Sequence, residues 1–275
     1  MRQPLRIFFL LSLFLLLVAG CGSSPAANQP STPAPVTLNV FAAASLTESF
    51  GEIAKQYQAS HPNIKIVYNF NGSQILVQQI INGANADIFA SADTVNMNKA
   101  VDAKAVSSSQ IFARNKLAVI IPVSNPGNIT SLKDLARKGL KIVLAAPTVP
   151  AGKYSIQILD TMAKSPDYGP TFESGVKANV VSQEDNVKAV VQKVQLGEAD
   201  AGIVYQTDVT VAVANQIKMI DIPDNFNVVA EYPVAVTLKS AHSTEAQAFV
   251  QYLLSPAGQA VLTKFHFIGV NGGGS

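Results

Sequence analysis

Serine hydroxyls are the groups in this sequence whose type and position could bind a ligand, and Ser45 is the first of them. It follows the apolar stretch Leu38–Phe41 and precedes a segment in which Leu46 and Phe50 recur at helical spacing. A helix start offers backbone N–H groups without intrahelical partners and the positive end of the helix dipole. Ser45 therefore predicts an anion-binding turn to which the side chain adds a hydroxyl donor. Ser45 and Glu48 also fit a capping box, which is a purely structural alternative.

Three more junctions of this kind follow along the chain. Ser73 opens an apolar helix after a strand-like run. Ala151 lies near the first turn of a helix after the predicted strand Leu140–Ala146, and Val187 lies at the start of a helix after the predicted strand Ala178–Val181. The sequence thus predicts an internal repeat of strand, helix, strand, helix, strand that is used twice.

The two repeats also end alike, because segments 83–93 and 197–208 both run from a glycine through an apolar strand to an aspartate. Tyr205 lies at the end of the second of these strands. Open α/β sheets bind ligands beyond the carboxyl ends of their strands, where helix N-termini converge. Two such halves facing each other would direct four helix starts and the Tyr205 hydroxyl into one cleft.

Residues 1–20 predict a signal peptide rather than a part of the fold. Arg2 and Arg6 precede an apolar run that is too short for a comfortable membrane-spanning helix. The run ends in Val-Ala-Gly-Cys at Cys21, the one cysteine in the chain, which resembles a bacterial lipobox and implies that Cys21 is lipidated. Residues 21–35 are rich in Ser, Pro and Ala and predict a flexible linker.

The rest of the chain is long enough for two lobes with separate cores. The run Gln110–Val123 predicts one strand that passes out of the first lobe, and the chain returns near Pro223. We therefore expect a first lobe of residues 36–118 plus 228–270 and a second lobe of residues 119–227. Two crossings between the lobes make a hinge, which suits closure around a ligand.

Catalytic and metal-binding patterns are absent from the sequence. His61, His242 and His266 lie outside the repeated junctions, and no nucleophile elbow, Walker, zincin or dinucleotide pattern occurs. We therefore expect no catalytic residue, no metal-ligating side chain and no cofactor. The formal net charge is +2 in 275 residues and only 14% of them are charged, so the chain has no basic region for nucleic acid.

Five stretches resemble the molybdate-binding proteins that serve ABC importers: Val40–Leu46, Ala86–Asp93, Val149–Gly152, Gly202–Tyr205 and Glu231–Val234. The resemblance implies an α/β, two-lobe periplasmic-binding-protein fold of the type II-like class. Each lobe would be a mixed sheet flanked by helices, and a tetrahedral oxyanion would lie between the lobes. Carried over by motif, the resemblance implies hydroxyl and amide donors from Ser45 and Ser73, amide donors from Ala151 and Val187 (or Asn186 in place of Val187), and the hydroxyl of Tyr205.

These observations lead us to expect a monomeric, extracytoplasmic solute-binding protein that is anchored to the membrane through Cys21. It would capture molybdate or tungstate and deliver the oxyanion to an ABC permease. One alternative keeps the fold and changes the ligand to sulfate, phosphate or a small organic anion. An envelope hydrolase with Ser45 as nucleophile lacks a base within reach. The ligand-sensing half of a transcription regulator conflicts with the signal peptide and the missing DNA-binding domain.

Overall fold

Alternating apolar strands and amphipathic helices form the part of the chain that the computed structural model describes, residues 34–270. The signal peptide 1–20, Cys21 and most of the linker 21–35 lie outside these described residues. The strands are β1 (Val36–Ala43), β2 (Ile64–Asn71), β3 (Ile88–Ala90), β4 (Gln110–Asn115), β5 (Leu117–Pro122), β6 (Ile142–Ala145), β7 (Val180–Glu184), β8 (Ala201–Tyr205), β9 (Ile217–Asp221), β10 (Ala230–Val236) and β11 (Ile268–Gly269).

The helices are α1 (Thr47–Ser60), α2 (Ser73–Ile81), α3 (Thr94–Asp102), α4 (Pro150–Ala163), α5 (Phe172–Ala178), α6 (Val187–Gln195), α7 (Ser243–Leu254) and α8 (Pro256–Lys264). Short 3₁₀ turns lie at Ala44–Leu46, Leu132–Ala136 and Gln206–Asp208. Within residues 34–270 no helix has the length and apolar character that crossing a membrane requires.

The strands form two mixed sheets of the same design. The first sheet has the order β2-β1-β3-β10-β4-β11 and the second has the order β7-β6-β8-β5-β9. In each sheet three neighbouring strands are parallel, and the next strand, β10 or β5, pairs antiparallel to them. The predicted double repeat is therefore present, and the expectation of mixed sheets flanked by helices is confirmed. We call each sheet with its helices the first lobe and the second lobe.

Each lobe buries the apolar helix faces that the sequence spacing predicts. On α6 the buried residues are Val187, Val190, Val191 and Val194, which recur at helical spacing. On α1 the buried apolar residues include Phe50 and Ile53, which pack in the core of the first lobe. Burial of these faces fixes the start of each helix relative to its sheet, and the helix starts form the site described below.

Two predicted strands differ from the structure. The run Gln110–Val123 is not one strand, because β4 belongs to the first sheet and β5 to the second. The break falls at Lys116, whose backbone N–H donates to the Asn115 side chain at 2.9 Å and so leaves the ladder. The strand predicted from Ala178 begins at Val180, since Ala178 is the last residue of helix α5, which sequence reasoning did not predict.

Candidate functional site

The five predicted ligand-binding residues surround one cleft between the lobes. Ser45 and Ser73 line it from the first lobe, and Ala151, Val187 and Tyr205 line it from the second. The empty volume of the cleft is about 220 Å³, part of which is open to solvent. The structure therefore brings together positions that are up to 160 residues apart in sequence, as the repeat predicts.

Three of these residues, Ser73, Ala151 and Val187, lie in the first turns of helices. Backbone N–H groups there have no intrahelical partners. Ser73 is the first residue of α2, and its N-cap Gly72 makes no side-chain cap. Ala151 is the second residue of α4, directly after Pro150, whose nitrogen carries no hydrogen. The N–H groups of Ser73 and Ala151 are thus among those that the first turns of their helices offer to an anion.

At the start of α6, the N-cap and the first helical residue have different roles. Asn186 is the N-cap of α6, and its side-chain oxygen accepts a hydrogen bond from the backbone N–H of Ala189 at 3.1 Å. Val187 is the first residue of the helix. Its N–H therefore belongs to the first, unpaired set, while Asn186 serves the helix through its side chain. Both Asn186 and Val187 line the cleft, so the fourth amide stays assigned to Val187, with Asn186 as the alternative.

The capping-box alternative for Ser45 is wrong. Helix α1 begins at Thr47 after the 3₁₀ turn, and its N-cap makes no side-chain hydrogen bond. The Ser45 hydroxyl is buried and lies 2.9 Å from the hydroxyl of Tyr232 in β10. Glu48 bonds to Lys188 instead of reaching back to the helix start.

Tyr205 presents a buried hydroxyl that has no hydrogen-bond partner among the described residues. Its ring meets the ring of Tyr232 edge to face, with 5.7 Å between centroids. Burial, reinforced by the neighbouring Tyr232, raises the pKa of Tyr205 well above its usual value, so the phenol stays protonated. A buried, unpaired O–H group costs free energy unless a ligand accepts its hydrogen bond.

Lys188 was not predicted as part of the site, since its position on α6 could equally have faced solvent. Its ammonium lies 2.7 Å from a Glu48 oxygen in the first lobe and 3.3 Å from the buried Asp208 carboxylate in the second. Burial lowers the pKa of Lys188, but the two carboxylates outweigh this and raise it overall. The ion pair with Glu48 joins the lobes beside the cleft.

The cleft itself is lined by neutral groups. No Lys, Arg or His side chain is among the described residues that line it. No group of three or more His, Cys, Asp and Glu side chains in residues 34–270 could hold a metal ion. The chemistry of the cleft is therefore that of hydroxyl and amide donors at helix N-termini, which suits an anion rich in acceptor oxygens.

Two mixed sheets flanked by helices, with hydrogen-bond donors from both in the cleft between them, define a two-lobe solute-binding protein. The sequence model of the bacterial extracellular solute-binding protein family matches residues 38–268, and the chain belongs to that family. It is 35% identical over 258 residues to the molybdate-binding protein ModA of Mycobacterium tuberculosis, an alignment that covers 92% of this chain and 94% of the relative.

Solved structures share the fold with lower sequence identity. The periplasmic molybdate-binding protein of Azotobacter vinelandii matches with a TM-score of 0.72 and 21% sequence identity. The alignment covers 84% of this chain and 98% of that protein. The sulfate-binding protein SubI of Mycobacterium tuberculosis matches with a TM-score of 0.76 and 16% sequence identity. The alignment covers 86% of this chain and 88% of that protein. The fold is thus common to proteins named for different oxyanions, so the ligand has to be argued from the cleft.

Proposed function

We propose that this protein captures molybdate, and also tungstate, in the cleft between its lobes. The observation that carries the proposal is the convergence of Ser45, Ser73, Ala151, Val187 and Tyr205 on one cleft that contains a buried, unpaired Tyr205 hydroxyl. The similarity to a protein named as molybdate-binding supports the choice of ligand.

The proposed donors are three hydroxyls and four backbone amides. Hydrogen bonds to a charged partner contribute about 1.5 to 3 kcal/mol each, so their gross contribution exceeds about 10 kcal/mol before the costs of association and closure. Micromolar or tighter binding is consistent with this range. A dianion held by neutral donors also needs no fixed cation, because helix dipoles and charge-assisted hydrogen bonds stabilise it.

We further propose that the two lobes close on the anion and present it to an ABC permease. The predicted bounds, 36–118 plus 228–270 and 119–227, shift at the first crossing to Lys116, because β5 begins at Leu117 and belongs to the second sheet. Closure is supported by interlobe contacts at the cleft, such as the hydrogen bond from the Gln74 side chain to the Asp185 carbonyl at 2.8 Å. The Val-Ala-Gly-Cys sequence supports anchoring outside the cytoplasm through a lipidated Cys21. We also propose that the protein acts as a monomer. Intact-mass measurement on membrane extracts should show an acyl increment at Cys21.

The alternatives lead to different expectations for the cleft. Sulfate has the same charge as molybdate but is smaller, so it would leave some donors unpaired at a cost of about 1 to 3 kcal/mol each. Phosphate keeps a proton at neutral pH, and a cleft of donors offers that proton no acceptor. A hydrolase would need a base beside Ser45, but its described hydroxyl partner is Tyr232, a phenol whose pKa burial raises.

Titration calorimetry with molybdate, tungstate, sulfate and phosphate tests the proposal. We expect molybdate and tungstate to bind within about tenfold of each other, and sulfate and phosphate to bind at least about a hundredfold more weakly, roughly 2.7 kcal/mol. Equal competition by sulfate would overturn the assignment to molybdate. A small organic anion that bound more tightly than molybdate would do the same.

A further inference from the structure

Three charged side chains lie together beside the cleft, and none of them is among the proposed ligand donors. Lys188 Nζ donates to both carboxylate oxygens of Glu48, at 2.9 and 2.7 Å, and lies 3.3 Å from Asp208 Oδ1. The Asp208 side chain is fully buried, whereas the side chains of Lys188 and Glu48 are 26% and 35% exposed. We call these three residues the ionic triad.

The members of the ionic triad are close in sequence to proposed donors of the cleft. Each of them lies one or three residues after a donor: Lys188 after Val187, Glu48 after Ser45 and Asp208 after Tyr205. Three residues of a helical turn advance only about 4.5 Å along its axis, so each charge stays near a donor. A dianion in the cleft would therefore interact with all three charges, which protein screens less than water does.

The Lys188 ammonium is not itself a ligand donor in this arrangement. An ammonium has three N–H groups, and three carboxylate oxygens lie within 3.3 Å of Lys188 Nζ. Lys188 is also not among the described residues that line the cleft. Its effect on a bound anion must therefore pass through the two carboxylates that surround it.

The two carboxylates depend on Lys188 for an opposite charge. Asp208 Oδ2 accepts a hydrogen bond from the backbone N–H of Tyr205 at 3.1 Å, whereas Oδ1 has no hydrogen-bond partner among the described residues and lies at ion-pair distance from Lys188. Glu48 forms its ion pair with Lys188 as well. Without the ammonium, uncompensated carboxylates would lie beside a dianion and repel it.

We propose that Lys188 is a positioning residue that holds the Glu48 and Asp208 carboxylates and balances their charge, so that a cleft of neutral donors can bind a dianion. This inference rests on the proposed function, since it assumes that the cleft binds an oxyanion. Glu48 belongs to the first lobe, and Lys188 and Asp208 belong to the second. The charge of Glu48 is thus balanced where the two lobes meet.

A reversal in the effect of Glu48→Gln tests this role, with molybdate binding measured by calorimetry. In the wild-type protein, Glu48→Gln removes an interlobe contact and should weaken binding roughly two- to fivefold. Lys188→Met should weaken binding roughly ten- to fiftyfold, because the contact is lost and the carboxylates then repel the dianion. In the Lys188→Met background, Glu48→Gln removes a repelling charge and should strengthen binding roughly three- to tenfold.

The ionic strength distinguishes charge balance from a displaced backbone. Salt screens the repulsion between charges, so higher ionic strength should narrow the difference in molybdate affinity between Lys188→Met and the wild-type protein. A donor that Lys188→Met had moved out of place would not return at higher salt. The narrowing is therefore a result that a purely structural role of Lys188 would not give.

Lys193→Met is the matched control, because Lys193 lies on the same helix α6 and pairs with Glu184 of the same lobe at 2.7 Å. Neither residue is among the described residues that line the cleft. This control should keep molybdate affinity within about twofold of the wild-type value. Should Lys188→Met fail to fold because it leaves Asp208 buried and unpaired, the double variant Lys188→Met with Asp208→Asn takes its place. Glu48→Gln should strengthen binding in that double variant as well.

The outcomes separate the two proposals. A wild-type protein that binds none of molybdate, tungstate, sulfate and phosphate would overturn the proposed function and this inference with it. If the wild-type protein bound molybdate but Glu48→Gln weakened binding further in the Lys188→Met background, or left it unchanged, the inference alone would be overturned. A difference in affinity that did not narrow with salt, or an equal loss in Lys193→Met, would do so as well.

Discussion

The two lobes share one strand and helix order but supply the cleft with different groups. The first lobe places Ser45 in the 3₁₀ turn before α1 and Ser73 at the start of α2. The second places the apolar residues Ala151 and Val187 at the equivalent starts and adds Tyr205 from a strand end. The shared feature is the unpaired backbone N–H of a helix start, and the side chains differ around it. The two lobes therefore share the position of their backbone N–H donors, but they contribute different numbers of hydroxyl groups to the cleft.

This difference has a consequence for mutation. Amide donors from Ala151 and Val187 cannot be removed by changing a side chain, whereas the serine hydroxyls can. Side-chain substitutions at the helix starts should thus affect binding through the first lobe. In the second lobe they should act mainly on packing, because Ala151 and Val187 are both buried.

The largest effect is expected from Gly72→Ala. A Cβ at Gly72 would overlap the Asp185 carbonyl oxygen of the second lobe, although the Gly72 φ of −60° is ordinary for alanine. The methyl group should hold the lobes apart. We expect roughly a hundredfold weaker molybdate binding by calorimetry, because overpacking costs about 1 to 3 kcal/mol and donors are lost as well.

Gly152→Ala is the contrasting variant. A Cβ there would overlap the Ala146 carbonyl oxygen, which belongs to the same lobe. This change should lower the melting temperature of the ligand-free protein, whereas Gly72→Ala should leave it near the wild-type value. If Gly72→Ala destabilised the ligand-free protein as much as Gly152→Ala, the interlobe contact would not be the cause of its weaker binding.

The next largest effect concerns the serines. Ser45→Ala and Ser73→Ala should each weaken molybdate binding by about 1 to 3 kcal/mol, because each removes a hydroxyl donor from the charged ligand. Val187→Ala keeps the backbone N–H and should leave affinity within about twofold, although it lowers stability. Serine variants that bound like the wild-type protein would refute the unequal division of hydroxyls between the lobes.

A smaller effect is expected at the ion pair between the lobes. Glu48→Gln removes the partner of Lys188 in the first lobe and leaves Asp208 in place. Partly exposed ion pairs contribute about 0.2 to 1 kcal/mol, so calorimetry should show roughly two- to fivefold weaker molybdate binding.

Glu173→Gln is the control for this ion pair, because Glu173 and Lys177 pair within one helix of the second lobe. It should leave affinity unchanged. Tighter binding by Glu48→Gln would show instead that repulsion between Glu48 and the anion outweighs the contact between the lobes.

Sequence reasoning reached the fold and the cleft because both depend on local signals. Helical spacing, strand ends and the doubled repeat place Ser73 and Val187 at helix starts, as the structure has them. The partner of Ser45 could not be obtained in this way. Tyr232 is 187 residues away, and only the pairing of β10 within the first sheet brings its hydroxyl to Ser45.

The same limit explains two of the errors and the missed lysine. Ser45 and Glu48 match a local capping pattern, but long-range partners, Tyr232 and Lys188, take both side chains. The run Gln110–Val123 is mostly apolar, and its second strand, β5, is buried at every position, so composition alone cannot show that its two strands belong to different sheets. Periodicity describes single elements, whereas these contacts depend on how the elements assemble.

The smallest effect on binding, but a distinct one on stability, is expected at Asp134 in the second lobe. Its carboxylate accepts hydrogen bonds from the backbone N–H groups of Thr130 and Ser131 at 2.9 and 2.8 Å. These bonds lower the pKa of Asp134 from 3.8 to about 2. Because the pKa is lower in the folded state, the stabilisation is present above pH 3.8 and is lost as the pH falls through about 2.

Asp134→Ala should therefore reduce the free energy of unfolding by about 0.5 to 1 kcal/mol at neutral pH, as expected for a partly exposed carboxylate that caps a helical turn. Its pH dependence between about 4 and 2 should be flatter than that of the wild-type protein. Urea unfolding across this range measures both quantities. Molybdate affinity at neutral pH should not change, because the capped 3₁₀ turn Leu132–Ala136 does not line the cleft. A loss of affinity in Asp134→Ala would show that the stability of the second lobe and the binding geometry of its helix starts are coupled.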